Sequence, residues 1–117
     1  MLKILLSLLL AAGPAVTFDK TVHDFGTVTV KDGALACTFT LTNSGDEDIY
    51  IQAVVSSCGC TGVQWTKTKI EPGSTGTIEA TYSNDEGPYP FDKTLTVYTT
   101  AAKKPIVLHL RGTVKKK

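Results

Sequence analysis

Short stretches of alternating apolar and polar residues follow one another along most of the chain. The clearest of them spans residues 35–42, where every second residue from Leu35 onward is apolar. Side chains of a β-strand point alternately to its two faces, so this stretch is predicted to be a strand with one face in a core. Residues 77–82 alternate in the same way, with Ile78, Ala80 and Tyr82 on the apolar face.

Turn sequences separate these stretches. Glu71-Pro72-Gly73-Ser74 is typical of a type II turn, because Pro72 fixes φ at the second position and Gly73 takes the positive φ that the third position requires. Asn43-Ser44-Gly45-Asp46 and Lys31-Asp32-Gly33 are expected to reverse the chain for related reasons, since asparagine, aspartate and glycine all favour turns.

The remaining apolar segments complete an all-β pattern. Residues 49–55 are partly apolar at both even and odd positions, which predicts a central strand covered on both faces. Further strands are expected around Val63 and Trp65, around Leu95 and Val97, and from Ile106 to Val114. About seven or eight short antiparallel strands with no helical period favour an immunoglobulin-like β-sandwich.

The first fifteen residues have a different character. Lys3 precedes an apolar stretch that ends in Gly13-Pro14-Ala15, a run of small residues of the kind a signal peptidase reads. The apolar stretch is about half as long as a membrane span requires. We therefore expect a signal peptide over residues 1–15 and a single domain over residues 16–117, with an uncleaved anchor as the alternative. The expected location is the periplasm or the outside of the cell, with no membrane span after cleavage.

Composition narrows the function classes. The chain has 117 residues, enough for one domain, and its 12 basic residues nearly balance its 11 acidic ones. Nucleic-acid binding requires a strongly basic face, so no nucleic-acid partner is expected. No nucleophile elbow, phosphate-binding glycine loop or zinc-protease motif occurs in the sequence. We therefore expect neither an enzyme nor a cofactor.

Cys58-Gly59-Cys60 is the feature with the most chemical potential, and it allows three readings. The two cysteines could form a small-ring disulfide, for which the chain must turn at Gly59. They could bind a soft metal such as Cu(I) or Zn(II), but only with a further ligand from His23, His109 or a second molecule. They could also be free thiols in a tight turn. An oxidising compartment favours the disulfide.

Two further features are expected to be structural. Cys37 shares the apolar face of its strand, which predicts a buried thiol, with a disulfide to one of the other two cysteines as the alternative. In His23-Asp24-Phe25-Gly26, Phe25 is expected to close one end of the core and Gly26 to permit a bend, while Asp24 or His23 caps backbone groups. Trp65 is expected to be largely buried between the sheets, near Phe39 and Tyr82.

Taken together and in their order along the chain, these motifs resemble those of the bacterial domain-of-unknown-function 1573 family (DUF1573). The resemblance covers nearly all of the chain after the signal peptide and implies an immunoglobulin-like fold, similar to the ASH and major-sperm-protein domains, in an exported protein. It implies no particular activity. It rests on His23-Asp24-Phe25-Gly26, Phe39 with Asn43-Ser44-Gly45, Ser57-Cys58-Gly59-Cys60-Thr61 with Trp65, Pro72-Gly73, and residues 93–97.

The sequence thus favours an exported, non-catalytic module that binds or scaffolds a partner protein, by addition of a strand to an exposed sheet edge. The partner and the oligomeric state are not encoded in any motif. The competing hypothesis is a copper-binding or thiol-redox protein that uses Cys58 and Cys60.

Overall fold

The protein is described here by a computed structural model that covers residues 15–85, 89–101 and 104–115. These residues form eight strands, and one short 3-10 helix, Val30–Asp32, follows the second strand. The all-β fold and the predicted number of strands are confirmed. The strands are β1 (Val16–Phe18), β2 (Val22–Thr29), β3 (Leu35–Asn43), β4 (Ile51–Ser56), β5 (Thr61–Trp65), β6 (Thr75–Tyr82), β7 (Pro90–Thr99) and β8 (Ile106–Lys115).

The strands form two sheets of four, in the orders β1-β3-β6-β5 and β2-β8-β7-β4. All of the pairings are antiparallel except that of β2 with β8, which is parallel. The prediction of antiparallel strands is therefore wrong at this pair. Alternation of apolar residues looks the same for either strand direction, and no hairpin connects β2 to β8, so the sequence pattern carries no information on their relative direction.

The core lies between the two sheets and takes side chains from both. Its centre is formed by the apolar faces predicted for β3 and β6, and these meet the apolar faces of β7 and β8. Burial of these side chains removes apolar surface from water and is the main favourable contribution to folding. The residues without measurable exposure are Phe39, Leu41, Ile78, Tyr82, Leu95, Leu108 and Leu110.

The strand predicted as central over residues 49–55 lies at an edge instead. β4 begins at Ile51 and pairs only with β7, while Ile49 makes an isolated pair with Ile70. Its two faces also differ, since Val54 is buried on the inner face whereas Val55 on the outer face is 53% exposed. Val55, on the outer face of β4, is why residues 49–55 look apolar on both faces in the sequence.

Trp65 also differs from its expected position. It ends β5, the other edge strand near the cysteines, and its side chain is half-buried rather than enclosed. It is aligned with Ile78, whereas Tyr82 is aligned with Thr61 at the far end of the strand. The ammonium of Lys67 lies 4.2 Å from the centre of the indole ring, so a cation–π contact covers part of the ring.

The predicted type II turn is present. The Ser74 amide donates to the Glu71 carbonyl at 2.8 Å, and Gly73 has a φ of 83°.

Residues 1–14 and 116–117 lie outside the described residues, and so does the predicted signal peptide apart from Ala15. Within the part of the chain that is described, no helix has the length and apolarity that crossing a membrane would take.

Candidate functional site

The cysteine loop, residues 57–60, carries the chain from β4 in one sheet to β5 in the other. At its start, the Ser57 amide donates to the Thr94 carbonyl at 2.9 Å, and the Thr94 amide donates to the Ser57 hydroxyl at 3.0 Å. At its end, the Ser83 amide donates to the Cys60 carbonyl at 2.9 Å. The loop is therefore attached to both sheets.

Hydrogen bonds within the loop define a tight turn. The Ser56 hydroxyl donates to the Cys58 carbonyl at 2.8 Å and accepts from the Cys58 amide at 3.1 Å. The Thr61 amide donates to the same carbonyl at 3.2 Å. This turn brings the Cα atoms of Cys58 and Cys60 to 5.1 Å, with the two sulfurs at disulfide-bonding distance. The geometry is that of the predicted small-ring disulfide.

The two sulfurs of the loop have different surroundings. The Cys60 amide donates to the Cys58 Sγ at 3.1 Å, while the Cys60 Sγ lies 3.9 Å from the Thr61 hydroxyl. Both side chains are half-buried, and of the two Cys60 packs against the hydrophobic core. Gly59 between them is exposed and has no side chain to shield them.

The structure does not bring His23 to the cysteine loop. His23 lies in β2, which is the edge strand opposite β4 in the same sheet, so β8 and β7 separate it from the loop. His109, on β8, hydrogen bonds through Nδ1 to Asp92. Among the described residues, no three histidine, cysteine or acidic side chains come together as metal ligands. Within the described part of the chain, copper or zinc would therefore find two grouped ligands, the sulfurs of Cys58 and Cys60, and would need a further ligand from a second molecule.

Cys37 lies where its pattern predicts, on the inner face of β3. Its side chain is buried, it is aligned with Ala80, and it is not joined to the other two cysteines. Burial raises the pKa of its thiol, and the charge of Lys20 opposes this shift. A buried thiol of raised pKa has little thiolate character and is correspondingly unreactive.

The His23-Asp24-Phe25-Gly26 segment forms an irregularity in edge strand β2. The pairing with β8 shifts between Asp24 and Thr27, and Gly26 has a φ of 74°. The Asp24 carboxylate accepts the Gly26 amide at 2.7 Å, and Phe25 packs against the core with His23 edge-on at 4.5 Å. Burial lowers the pKa of His23. Such a bulge blunts an edge strand.

A charged cluster on the outer face of the second sheet was not foreseen. The Asp92 carboxylate hydrogen bonds to Nδ1 of His109 at 2.8 Å and accepts Nε of Arg111 at 2.9 Å. The hydrogen bonds from His109 and Arg111 hold the pKa of Asp92 below its ordinary value. The sequence alone does not reveal this cluster, because the alignment of Asp92 with Arg111 depends on the register between β7 and β8. Exposed pairs of this kind contribute little to stability.

An apolar patch lies at the β4 edge of the second sheet. Val55, Thr96 and Val107 form one row across β4, β7 and β8, and Tyr98 lies beside this row, aligned with Ala53. Val55, Tyr98 and Val107 are 53%, 42% and 44% exposed. These three residues and Thr96 are called the β4 patch below. Scattered exposed apolar residues are ordinary, whereas adjacent ones on a sheet face indicate a contact surface.

The four edge strands differ in how they are protected against pairing with another chain. β1 has only three residues, β2 carries the bulge, and the last residue of β5 lies under the Lys67 ammonium. β4 has six residues without a proline or a charge. Its register with β7 shifts between Ile51 and Ala53, and it is continuous from Ala53 to Ser56. β5 is also uncharged, but its outer face places Gln64 beside Glu79, so β4 with its apolar outer face is the edge better suited to accept an apolar strand.

A family model and several solved structures match this chain. The model of a family described as "Protein of unknown function (DUF1573)" matches residues 16–114. No curated protein matches the sequence. Similar solved structures include a protein of unknown function from Porphyromonas gingivalis W83, with a TM-score of 0.72, 14% identity, and coverage of 88% of this chain and 48% of that one.

Two further solved structures are similar, one over part of a longer chain and the other over nearly its whole length. The secreted serine protease VesC from Vibrio cholerae matches with a TM-score of 0.66 and 15% identity, over 97% of this chain and 26% of that one. WR4, an MSP family member of C. elegans, matches with a TM-score of 0.64 and 12% identity, over 86% and 99%. The chain spans about a quarter of VesC and about half of the P. gingivalis protein.

Proposed function

The chain belongs to the DUF1573 family, and we propose that it is an exported, non-catalytic module that binds a partner protein through β4 and the β4 patch. The observation that carries this proposal is the combination of an uncharged edge strand, whose register is continuous from Ala53 to Ser56, with adjacent exposed apolar side chains on the same sheet. A partner segment in extended conformation would continue the sheet beyond β4.

The two parts of this surface supply different contributions to binding. Backbone hydrogen bonds along an edge strand provide affinity with little dependence on sequence, and side-chain contacts on the sheet face provide selectivity. A partner strand that pairs with Ala53–Ser56 would place alternate side chains beside Val55. Because the patch is apolar and Tyr98 adds an aromatic ring, the matching partner positions are expected to be apolar or aromatic.

The similar structures support a role as a module. In VesC and in the P. gingivalis protein, the matched region is one part of a longer chain. The fold therefore occurs both as part of longer proteins and as nearly the whole of WR4, which is how a module behaves.

Substitution of Val55 by lysine tests the proposed surface. Val55→Lys is expected to abolish capture of the partner from envelope extracts of the producing cells, because it adds a charge to both the patch and the edge strand. Thr38→Lys is the matched control, since Thr38 is exposed on the outer face of β3 in the other sheet. Equal capture by the wild type and by Val55→Lys would contradict the proposal, provided that both variants have the wild-type circular dichroism spectrum.

Export is tested by the mass of the mature protein. The sequence predicts cleavage after Ala15, so that the mature chain begins at Val16, the first residue of β1. Intact mass spectrometry of protein isolated from its native cells should show a chain without residues 1–15. Retention of these residues would contradict the predicted cleavage and favour a membrane anchor.

A further inference from the structure

The Cys58–Cys60 disulfide contributes little that the fold does not already have. A disulfide stabilises chiefly by closing a loop of the unfolded chain, and the effect falls as the loop becomes shorter. Here the closed loop contains one intervening residue, Gly59. Hydrogen bonds to Ser57, Cys58 and Cys60 already hold the loop to both sheets. The disulfide is therefore not required as a structural link.

We propose that Cys58 and Cys60 form a thiol–disulfide exchange site whose substrate is an exposed dithiol of a peptide. The proposal does not depend on the β4 patch. It follows from the proximity of two half-buried sulfurs in a loop whose shape is fixed by backbone contacts, with only the exposed Gly59 between them. A rigid loop that keeps the two Cα atoms 5.1 Å apart can open and close the bond without refolding.

The surroundings of the two sulfurs give Cys58 and Cys60 different roles in the exchange reaction. Donation from the Cys60 amide stabilises negative charge on the Cys58 Sγ, as hydrogen bonds to a charged form do generally. Cys60 packs against the core, so an incoming thiolate meets Cys58 more readily. Cys58 is therefore the sulfur that exchanges with substrate, and Cys60 is the one that leaves and returns.

The exchange proceeds in two balanced steps. A substrate thiolate attacks the Cys58 Sγ, the bond between the two protein sulfurs breaks, and Cys60 leaves as a thiolate that takes up a proton. The second substrate thiol loses its proton and attacks the substrate sulfur of the mixed disulfide, and Cys58 leaves as a thiolate that is protonated in turn. The substrate dithiol is oxidised to a disulfide by two electrons, and the protein disulfide is reduced to two thiols.

The test uses the oxidised mature protein and a short synthetic peptide with two reduced cysteines. Acid quenching, alkylation and mass spectrometry should show one peptide disulfide formed for each chain reduced. When Cys60→Ser is incubated with the oxidised peptide, the mixed disulfide should form at Cys58. Cys58→Ser, which leaves Cys60 as the one cysteine of the loop, should form it at least tenfold more slowly. Cys37→Ser should exchange like the wild type.

The folded state must be monitored in the same experiment. The reduced protein should keep the circular dichroism spectrum of the oxidised one, because the loop is held by hydrogen bonds. Equal reactivity of Cys58 and Cys60, absence of exchange, or unfolding upon reduction would each overturn the proposal. Three free thiols in protein isolated from an oxidising compartment would overturn it as well.

Discussion

Phe39→Ala is expected to lower the free energy of unfolding by about 3–5 kcal/mol, which is the usual cost of removing a fully buried aromatic side chain. Phe39 has no exposed surface, it is aligned with Ile78 on β6, and the ammonium of Lys20 lies 5.8 Å from its ring centre. Small domains have a total stability of about 5–15 kcal/mol, so the variant loses a large part of it.

Urea denaturation followed by circular dichroism measures this loss. The control is Thr38→Ala, one residue earlier in the same strand but on the exposed face, which is expected to change stability by less than about 0.5 kcal/mol. If the Phe39→Ala midpoint moved no further than the Thr38→Ala midpoint, the alignment of β3 between the sheets would be wrong.

Asn43→Ala is expected to cost about 2–4 kcal/mol, although it removes no apolar contact of note. The Asn43 side chain is 1% exposed, donates to the carbonyls of Glu47 and Ile70 at 2.7 and 2.8 Å, and accepts the Gly45 amide at 3.0 Å. Alanine would leave the Glu47 carbonyl and the Gly45 amide without the side-chain partner, while the Ile70 carbonyl would keep the Ile49 amide as a donor. Each buried unsatisfied group costs about 1–3 kcal/mol. Partial access of water to the turn reduces the sum.

Asn43→Asp separates the contributions of the amide donors from that of the acceptor. Aspartate keeps the oxygen that accepts the Gly45 amide but loses both donors and brings a negative charge towards two carbonyl oxygens, so its expected loss is at least as large. Ser44→Ala, at an exposed neighbouring position, should be nearly neutral. Urea midpoints close to the wild type for both Asn43 variants would show that the side chain does not hold the turn.

The parts of the fold that the sequence predicts well are those where one residue determines local geometry. Alternation assigns the inner faces of β3 and β6, because the side-chain period of a strand is fixed. Gly73 identifies its turn, because few other residues tolerate its φ. The tight turn at Gly59 and the inner position of Cys37 follow from equally local arguments.

The features that the sequence did not predict depend on neighbours distant in the chain. Whether Val55 is covered depends on what packs on the outer face of the second sheet, and that face is open, since Val107 on the inner strand β8 is exposed there as well. The half-buried position of Trp65 follows from its place at the end of β5, whose position at a sheet edge depends on the strand order. The Asn43 turn was expected from residue type, but its contact with Ile70 depends on the pairing of remote segments. The sequence allows His23 as a ligand of the cysteine loop, and only the strand order places it at the opposite edge of the second sheet.

The most direct test of the proposed function asks what lies against β4 in the native compartment. A photoreactive phenylalanine analogue is placed at position 55 in the β4 patch or at position 38 on the opposite sheet, and the producing cells are irradiated. Binding through β4 predicts a dominant covalent adduct with one partner protein from position 55 and none from position 38. A folded, exported protein that gives no adduct from position 55, or the same adducts from both positions, would contradict it.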